Sequence, residues 1–315
     1  MPCDPSIFRS CWILAGPTAV GKTALSLQLA QKLDAEILSL DSMAIYRGMD
    51  IGTAKPNAEE QALVPHHLID IVDPHETFST ADYLERAGDQ VREIEARGKR
   101  ALFVGGTGLY LRSILRGVFA GPDADWELRN QLARQVQAEP GSLHRQLAEV
   151  DAELARKLHP NDERRIIRGL EVFQLTGKPL SKQQLQGALP PEQRASRVFW
   201  LHRDREDLYE RINLRVDLMI EQGLMQEVKT LLTRQPPISH TALQGLGYKE
   251  AVDYLQGKQD LAATIKEIKL RSRQFAKRQH TWFRNLEECQ EIPVEQMSSP
   301  GNLVEQILKL SGETP

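Results

Sequence analysis

Eight consecutive residues constrain this chain more than any others. Gly16, Pro17, Thr18, Ala19, Val20, Gly21, Lys22 and Thr23 fit the pattern G-x-x-x-x-G-K-[ST]. The apolar run Cys11–Ala15 stops at the first glycine and reads as a buried strand. Thr23–Leu33, with Leu25, Leu29 and Leu33 at helical spacing, reads as the helix that follows. A strand that turns through glycines into a helix aims backbone N–H groups and a helix N-terminus at one point, which suits a polyphosphate. Lys22 adds a point charge and Thr23 a hydroxyl for Mg²⁺. The segment therefore predicts a ligand carrying at least a diphosphate, with Mg²⁺.

The rest of the chain extends this unit. Ile37–Leu40 and Ala101–Val104 read as further buried strands, and Ala81–Ala96 and Tyr110–Leu115 as helices between and after them. Such alternation predicts a parallel sheet with crossover helices. Beyond Gly121-Pro122 the pattern is helical, with no convincing strand until Val198–Leu201. The expected fold is α/β: a P-loop NTPase-like parallel-sheet core with C-terminal helices, residues 1–120 and 197–315, interrupted by a helical insertion domain at 121–196. A content of 41% hydrophobic residues supports a sizeable core. No apolar run approaches the roughly 18 residues that span a bilayer, and no secretory leader is evident. Cys3, Cys11 and Cys289 form neither a disulfide framework nor a zinc set. A cytoplasmic, monomeric enzyme without a membrane partner is the expectation.

Asp41 directly follows the second strand, at the rim where open α/β sheets bind ligands. Three roles stay open on position alone: a Mg²⁺ ligand, a general base, or a loop cap. The glycine-rich loop Arg47–Pro56 and the turn Gly105–Tyr110 reach the same rim, while His66-His67 lacks spaced partners and reads as loop or core rather than a metal site. Net charge is −3, yet residues 264–284 alone carry seven basic and one acidic side chain, and residues 285–315 one and six. That basic stretch also holds Phe275, His280, Trp282 and Phe283. Cations with aromatics suit RNA phosphates and unstacked bases. Alternatively, Phe275 and Trp282 are core and the cations a solvated face. A phosphorylated donor with a nucleic-acid acceptor and a small-molecule kinase using ATP both fit these residues.

The segments GPTAVGKT (16–23), DSMAIYRGMDIGTAKP (41–56), PHHLID (65–70), VGGTGLY (104–110), HPND (159–162), RRIIRGLEVF (164–173), GLGYKE (245–250) and KRQHTWFR (277–284) occur in one order across nearly the whole chain. In these the chain resembles the tRNA dimethylallyltransferases (tRNA isopentenyltransferases). Without a C-terminal Cys/His finger set it resembles the bacterial form. The resemblance implies transfer of a dimethylallyl group from dimethylallyl diphosphate to N6 of the adenosine 3′-adjacent to the anticodon of tRNA, with release of diphosphate. It implies that Gly16–Thr23 cradle the donor, with Thr18 through Thr23 closest to it, and that Thr23 helps place Mg²⁺. Asp41 matches the family's base, and Arg215 an arginine assisting the diphosphate, so that Asp41, Thr23, Lys22 and Arg215 form the catalytic set. Contacts to tRNA map onto Asp41, Ser42, Met43, Ala44, Thr107 and Arg129; onto Arg164, Arg165, Ile166, Ile167 and Arg168; onto Gln244, Gly245, Leu246, Gly247, Tyr248 and Lys249; and onto Lys277, Arg278, Gln279, His280, Thr281, Trp282, Phe283 and Arg284. Gln244 and Gly245 depart from many relatives, which carry an arginine or a larger residue there. The insertion corresponds to the family's domain that grips the anticodon stem-loop.

Overall fold

A computed structural model describes residues 4–119, 121–184, 187–295 and 298–313; Cys3 lies outside them. The chain runs β1 (Trp12–Ala15), α1 (Lys22–Leu33), β2 (Ala35–Leu40), α2 (Ala58–Leu63), β3 (His66–His67), α3 (Thr80–Ala96), β4 (Arg100–Gly105) and α4 (Gly108–Arg116). Five helices follow: α5 (Trp126–Ala138), α6 (Ser142–Val150), α7 (Ala152–Lys157), α8 (Glu163–Thr176) and α9 (Leu180–Gln183). The chain closes with β5 (Arg197–His202), α10 (Arg205–Glu221), α11 (Leu224–Leu232), α12 (Tyr248–Leu255), α13 (Leu261–Arg284), β6 (Gln290–Pro293) and α14 (Pro300–Leu310). The described residues of 117–188 form one compact unit, and those of 4–116 with 189–313 the other.

In the larger unit six parallel strands lie in the order β3-β2-β4-β1-β5-β6. The chain leaves β1 toward β2 and leaves β4 toward β5, so connections diverge between β1 and β4. That divergence opens the ligand crevice of such sheets at the strands' carboxyl ends. Both central strands end in glycine turns there, and the N–H of Gly16 donates to the carbonyl of Gly105 at 3.2 Å across the gap. Trp12, Leu14, Leu102, Phe199 and Leu201 from the strands pack with Leu25, Leu29 and Leu33 of α1 and Val304, Ile307 and Leu308 of α14 into one core.

Three elements differ from the expectation. His66-His67 is a two-residue edge strand rather than a loop, and His67 meets Glu36 at 2.6 Å. Strand β6, Gln-Glu-Ile-Pro, buries only Ile292, too little apolar periodicity to reveal a strand. In α13 the buried stripe is Thr264, Ile268, Ser272, Ala276, Gln279 and Phe283. Phe275 is only half-buried and Trp282 is 39% exposed, so neither belongs to the stripe proposed for them. Polar residues at three of the stripe's six positions, with a small alanine at a fourth, disguise it.

The smaller unit has its own core of Leu132, Leu143, Leu147, Ala155, Leu158, Ile166 and Leu170. Its charged centre is Glu171, whose fully buried carboxylate accepts both forks of Arg129 at 2.7 and 2.8 Å, the Asp125 N–H at 2.9 Å and Arg168 at 2.5 Å. Burial pushes this carboxyl up, but those donors hold it below its usual range.

Close approach of β2 and β4 leaves no room for a side chain at Gly105, where a Cβ would lie 2.2 Å from the Leu40 carbonyl oxygen. Backbone cannot yield as a flexible side chain can. Gly105→Ala should destabilise the chain by about 2–3 kcal/mol, the scale of core overpacking, seen as a lower urea midpoint at unchanged slope.

Candidate active site

The glycine-rich loop is braced from several sides. Ala19 holds a left-handed φ of +64° and Gly21 one of +107°. Glycine adopts this conformation freely, whereas alanine does so only where its neighbours hold it. Two such neighbours are visible. The Thr18 N–H donates to Gln279 Oε1 at 3.0 Å, and Gln279 Nε2 donates to the Gly106 carbonyl at 2.9 Å. On the other side Arg211 Nε donates to the Ala19 carbonyl at 2.9 Å. Gly21 offers no side chain to cap α1, so the helix's first N–H groups stay available to a ligand.

Lys22 folds over its own loop, donating to the carbonyls of Gly16 and Pro17 at 2.9 and 2.8 Å. Burial, then the positive charge of Arg215, push its ammonium down to about 7, while Asp41 pulls it back. Arg215, on α10, is itself lowered by burial and supported by Asp41, and its buried Nε lacks a partner among the described residues. Both cations are poorly solvated, and an anion beside them would offset that burial cost.

Asp41 is a loop cap as well as a rim acid: its Oδ1 accepts the N–H groups of Met43 and Ala44 at 2.8 and 3.3 Å. Its second oxygen is left for chemistry. Next to it, the Ser42 N–H donates to Thr107 Oγ1 at 3.1 Å, which joins the β2 and β4 turns. Beneath lie Tyr83 and Tyr110, stacked at 3.8 Å, with the Tyr83 hydroxyl donating to the Ser39 carbonyl. For a metal, the described residues contain no cluster of three His, Cys, Asp or Glu side chains. The Thr23 hydroxyl, exposed at the start of α1, and the free Asp41 oxygen fit Mg²⁺ only if ligand phosphates complete its shell.

The predicted RNA contacts fall into two groups. Lys277, Arg278, Thr281, Trp282 and Arg284 on α13 are exposed, as are Gln244, Lys249, Arg164 and Arg165. Arg129 and Arg168 are partly exposed but are held by Glu171, and Leu246 and Ile167 are half-buried. Other side chains are turned inward. Ile166 sits in the core of the helical unit, and Phe283 and Tyr248 in that of the larger one. Gln279 braces the P-loop from within, accepting the Thr18 N–H and donating to the Gly106 carbonyl. His280 packs edge-on against Trp200 and His202. Gly245 and Gly247 are buried; a Cβ on Gly245 would lie 2.9 Å from both Met43 and Tyr248.

In the loop Arg47–Pro56, both cations are engaged within the fold. Lys55 donates to the Tyr46 carbonyl, Asp50 and Asp70, and Arg47 pairs with Asp73. Glu227 on α11 accepts the N–H groups of Asp50 and Ile51 at 2.9 and 2.8 Å and the Tyr248 hydroxyl at 2.7 Å. Sequence reasoning passed over Glu227 and Arg211. The first gives no local signal; the second stands one helical turn before Arg215 in RINLR and could have been found by that spacing.

Comparison with known proteins finds relatives along most of the chain. The family model described as IPP transferase matches residues 44–286. The tRNA dimethylallyltransferase of Halothermothrix orenii is 47% identical over 274 residues, covering 86% of this chain and 84% of its own length. That of Symbiobacterium thermophilum is 46% identical over 303 residues, 96% of this chain and 94% of the relative. Among solved structures, the full-length tRNA isopentenylpyrophosphate transferase from Bacillus halodurans superposes with a TM-score of 0.70 at 41% identity, covering 96% of each chain. A eukaryotic dimethylallyltransferase acting on tRNA superposes at 0.76 with 29% identity, over 96% of this chain and 80% of its own.

A diphosphate bound beside Lys22 would raise its pKa, so binding should take up a proton at pH values above about 7. Affinity for inorganic diphosphate should therefore fall as pH rises through that range. Calorimetry at pH 8 in buffers of different ionisation enthalpy should show the uptake, and Lys22→Met should show less of it by nearly one proton.

Proposed function

The chain belongs to the IPP transferase family, and on that premise we propose that it prenylates tRNA, moving a dimethylallyl group from dimethylallyl diphosphate to N6 of the adenosine 3′-adjacent to the anticodon. The observation that carries this reading is the convergence of one carboxylate, Asp41, with Lys22 and Arg215 at the mouth of the P-loop. A base and a polyanion site side by side suit a proton-bearing nucleophile attacking a carbon that leaves a diphosphate behind. The kinase reading has no such support, since the relatives are tRNA prenyltransferases.

The chemistry follows from these side chains. The adenine N6 is a poor nucleophile inside a stacked loop, so it must be turned out of the stack and partly deprotonated. The free oxygen of Asp41 takes the proton as the new C–N bond forms and the C–O bond to the diphosphate breaks. Lys22 exchanges the carbonyls of Gly16 and Pro17 for phosphate oxygens, and with Arg215 and the α1 N-terminus it absorbs the developing negative charge. The Thr23 hydroxyl would help hold Mg²⁺ beside the diphosphate, where the ion would supply further charge neutralisation to the leaving group. Thr107 and the backbone from Ser42 to Ala44 border the acceptor side, and Lys277, Arg278 and Arg284 offer charge to RNA phosphates. Arg129, Arg164, Arg165 and Arg168 offer the same on the helical unit. No described helix is long and apolar enough to cross a membrane, and a tRNA acceptor points to the cytoplasm. One chain holds donor cradle and base together, so a monomer suffices.

Incubation with unmodified tRNA, Mg²⁺ and dimethylallyl diphosphate should yield a prenylated adenosine by mass spectrometry; ATP turnover without RNA would instead favour a kinase. Asp41→Asn keeps an acceptor for the Met43 and Ala44 N–H groups but removes the base. It should lower turnover by about 10²-fold or more with donor affinity unchanged, and near-normal turnover would sink the base assignment. Thr23→Ala should raise the Mg²⁺ concentration needed for half-maximal rate.

A further inference from the structure

Helix α10 carries two guanidiniums one turn apart, Arg211 and Arg215, beside the P-loop. The environment of Arg211 differs from that of its neighbour. Its Nε is fixed on the Ala19 carbonyl at 2.9 Å, on the strained residue in the middle of the loop. That single bond sets the plane of the guanidinium and uses one of its five N–H groups, leaving four on the two Nη atoms. Arg211 is exposed, and it makes no ion pair among the described residues. Its neighbours on the helix are treated otherwise: Asp207 pairs with Arg203, and Asp217 with Lys269.

The local charge balance makes the arrangement informative. Lys22, Arg211 and Arg215 all lie at one loop, and the first and last repel each other, with Asp41 the acid that opposes them. Lys22 and Arg215 already outnumber that one carboxylate, and Arg211 brings a further positive charge to the same loop, an arrangement that favours an anion. A purely structural bond to Ala19 would need only a neutral donor. The fork is also the side chain suited to non-bridging phosphate oxygens.

We infer that Arg211 is a second diphosphate-binding arginine, its Nη groups taking oxygens of the terminal phosphate while its Nε holds the loop in shape. The inference rests on the reading of the P-loop as a prenyl diphosphate site. When the C–O bond breaks, its electron pair passes to the diphosphate, and Arg211 meets the added charge at the terminal end, as Lys22 and Arg215 do from the buried side. Nothing in the motif around the P-loop announces this residue, because it arrives from α10, about 190 residues further along.

The test compares two ligands in the full chain. Arg211→Gln keeps an amide N–H for Ala19 but removes the charge and the fork. Its affinity for dimethylallyl diphosphate should fall at least tenfold, its affinity for dimethylallyl monophosphate should hold within twofold, and its kcat/KM for the diphosphate should fall with the KM for tRNA unchanged. Unchanged diphosphate affinity would overturn the inference. Equal weakening of both ligands would overturn it too, because a merely distorted loop would lose both. The wild-type chain separates this from the broader reading: if it fails to prenylate tRNA, the function is wrong, whereas wild-type transfer with an indifferent Arg211→Gln condemns Arg211 alone.

Discussion

A cradle that binds anions through backbone N–H groups has few side chains of its own with which to keep its shape. Here the shape comes from outside the motif. The Gln279 side-chain amide accepts from the loop at Thr18 and donates to the turn after β4 at Gly106, so one residue of α13 holds both walls of the crevice. Arg211 holds the third point at Ala19. The direct bond from Gly16 to Gly105 closes the base. A buried amide with both ends satisfied is also a stable choice, since leaving either end unpaired would carry a desolvation cost.

The charges around the cradle follow from the same economy. Lys22 and Arg215 share a poorly solvated site in which burial lowers both and the charge of Asp41 supports both. The lysine's ammonium is thereby pushed down to about 7, and the carboxylate is tied at one oxygen by Met43 and Ala44. Fixed donors of this kind need no rearrangement as the leaving group gains charge.

Much of the larger unit could be read from residue order. Strand β1, the loop and helix α1 follow from a local motif whose physics is self-contained, and β2, β4 and β5 from apolar runs ending at turns. The helical segment was visible through its leucine spacing; the compact unit spans Gly117–Ala188 where 121–196 was expected. Strands β3 and β6 were hidden because edge strands need little apolar content. The site was readable only where one element supplies it: Lys22, Thr23 and Asp41 stand next to strand ends. Gln279, Arg211 and Glu227 act across long sequence separations through hydrogen bonds, and of the three only Arg211 has a local cue, its spacing from Arg215. Gln279 lies in a basic, aromatic strip, and only the fold reveals that its side chain bridges two glycine turns.

Helix α13 runs unbroken for 24 residues, and Gln279 pins it against the sheet's rim while Lys277, Arg278 and Arg284 remain on its outside. A helix advances about 1.5 Å per residue, so Arg284 stands roughly 8 Å along the axis from the pinned position. With RNA bound along it, the rod would act as a gauge. A backbone phosphate seated at its end would be registered against the donor loop at a set distance, without any moving part to do the measuring.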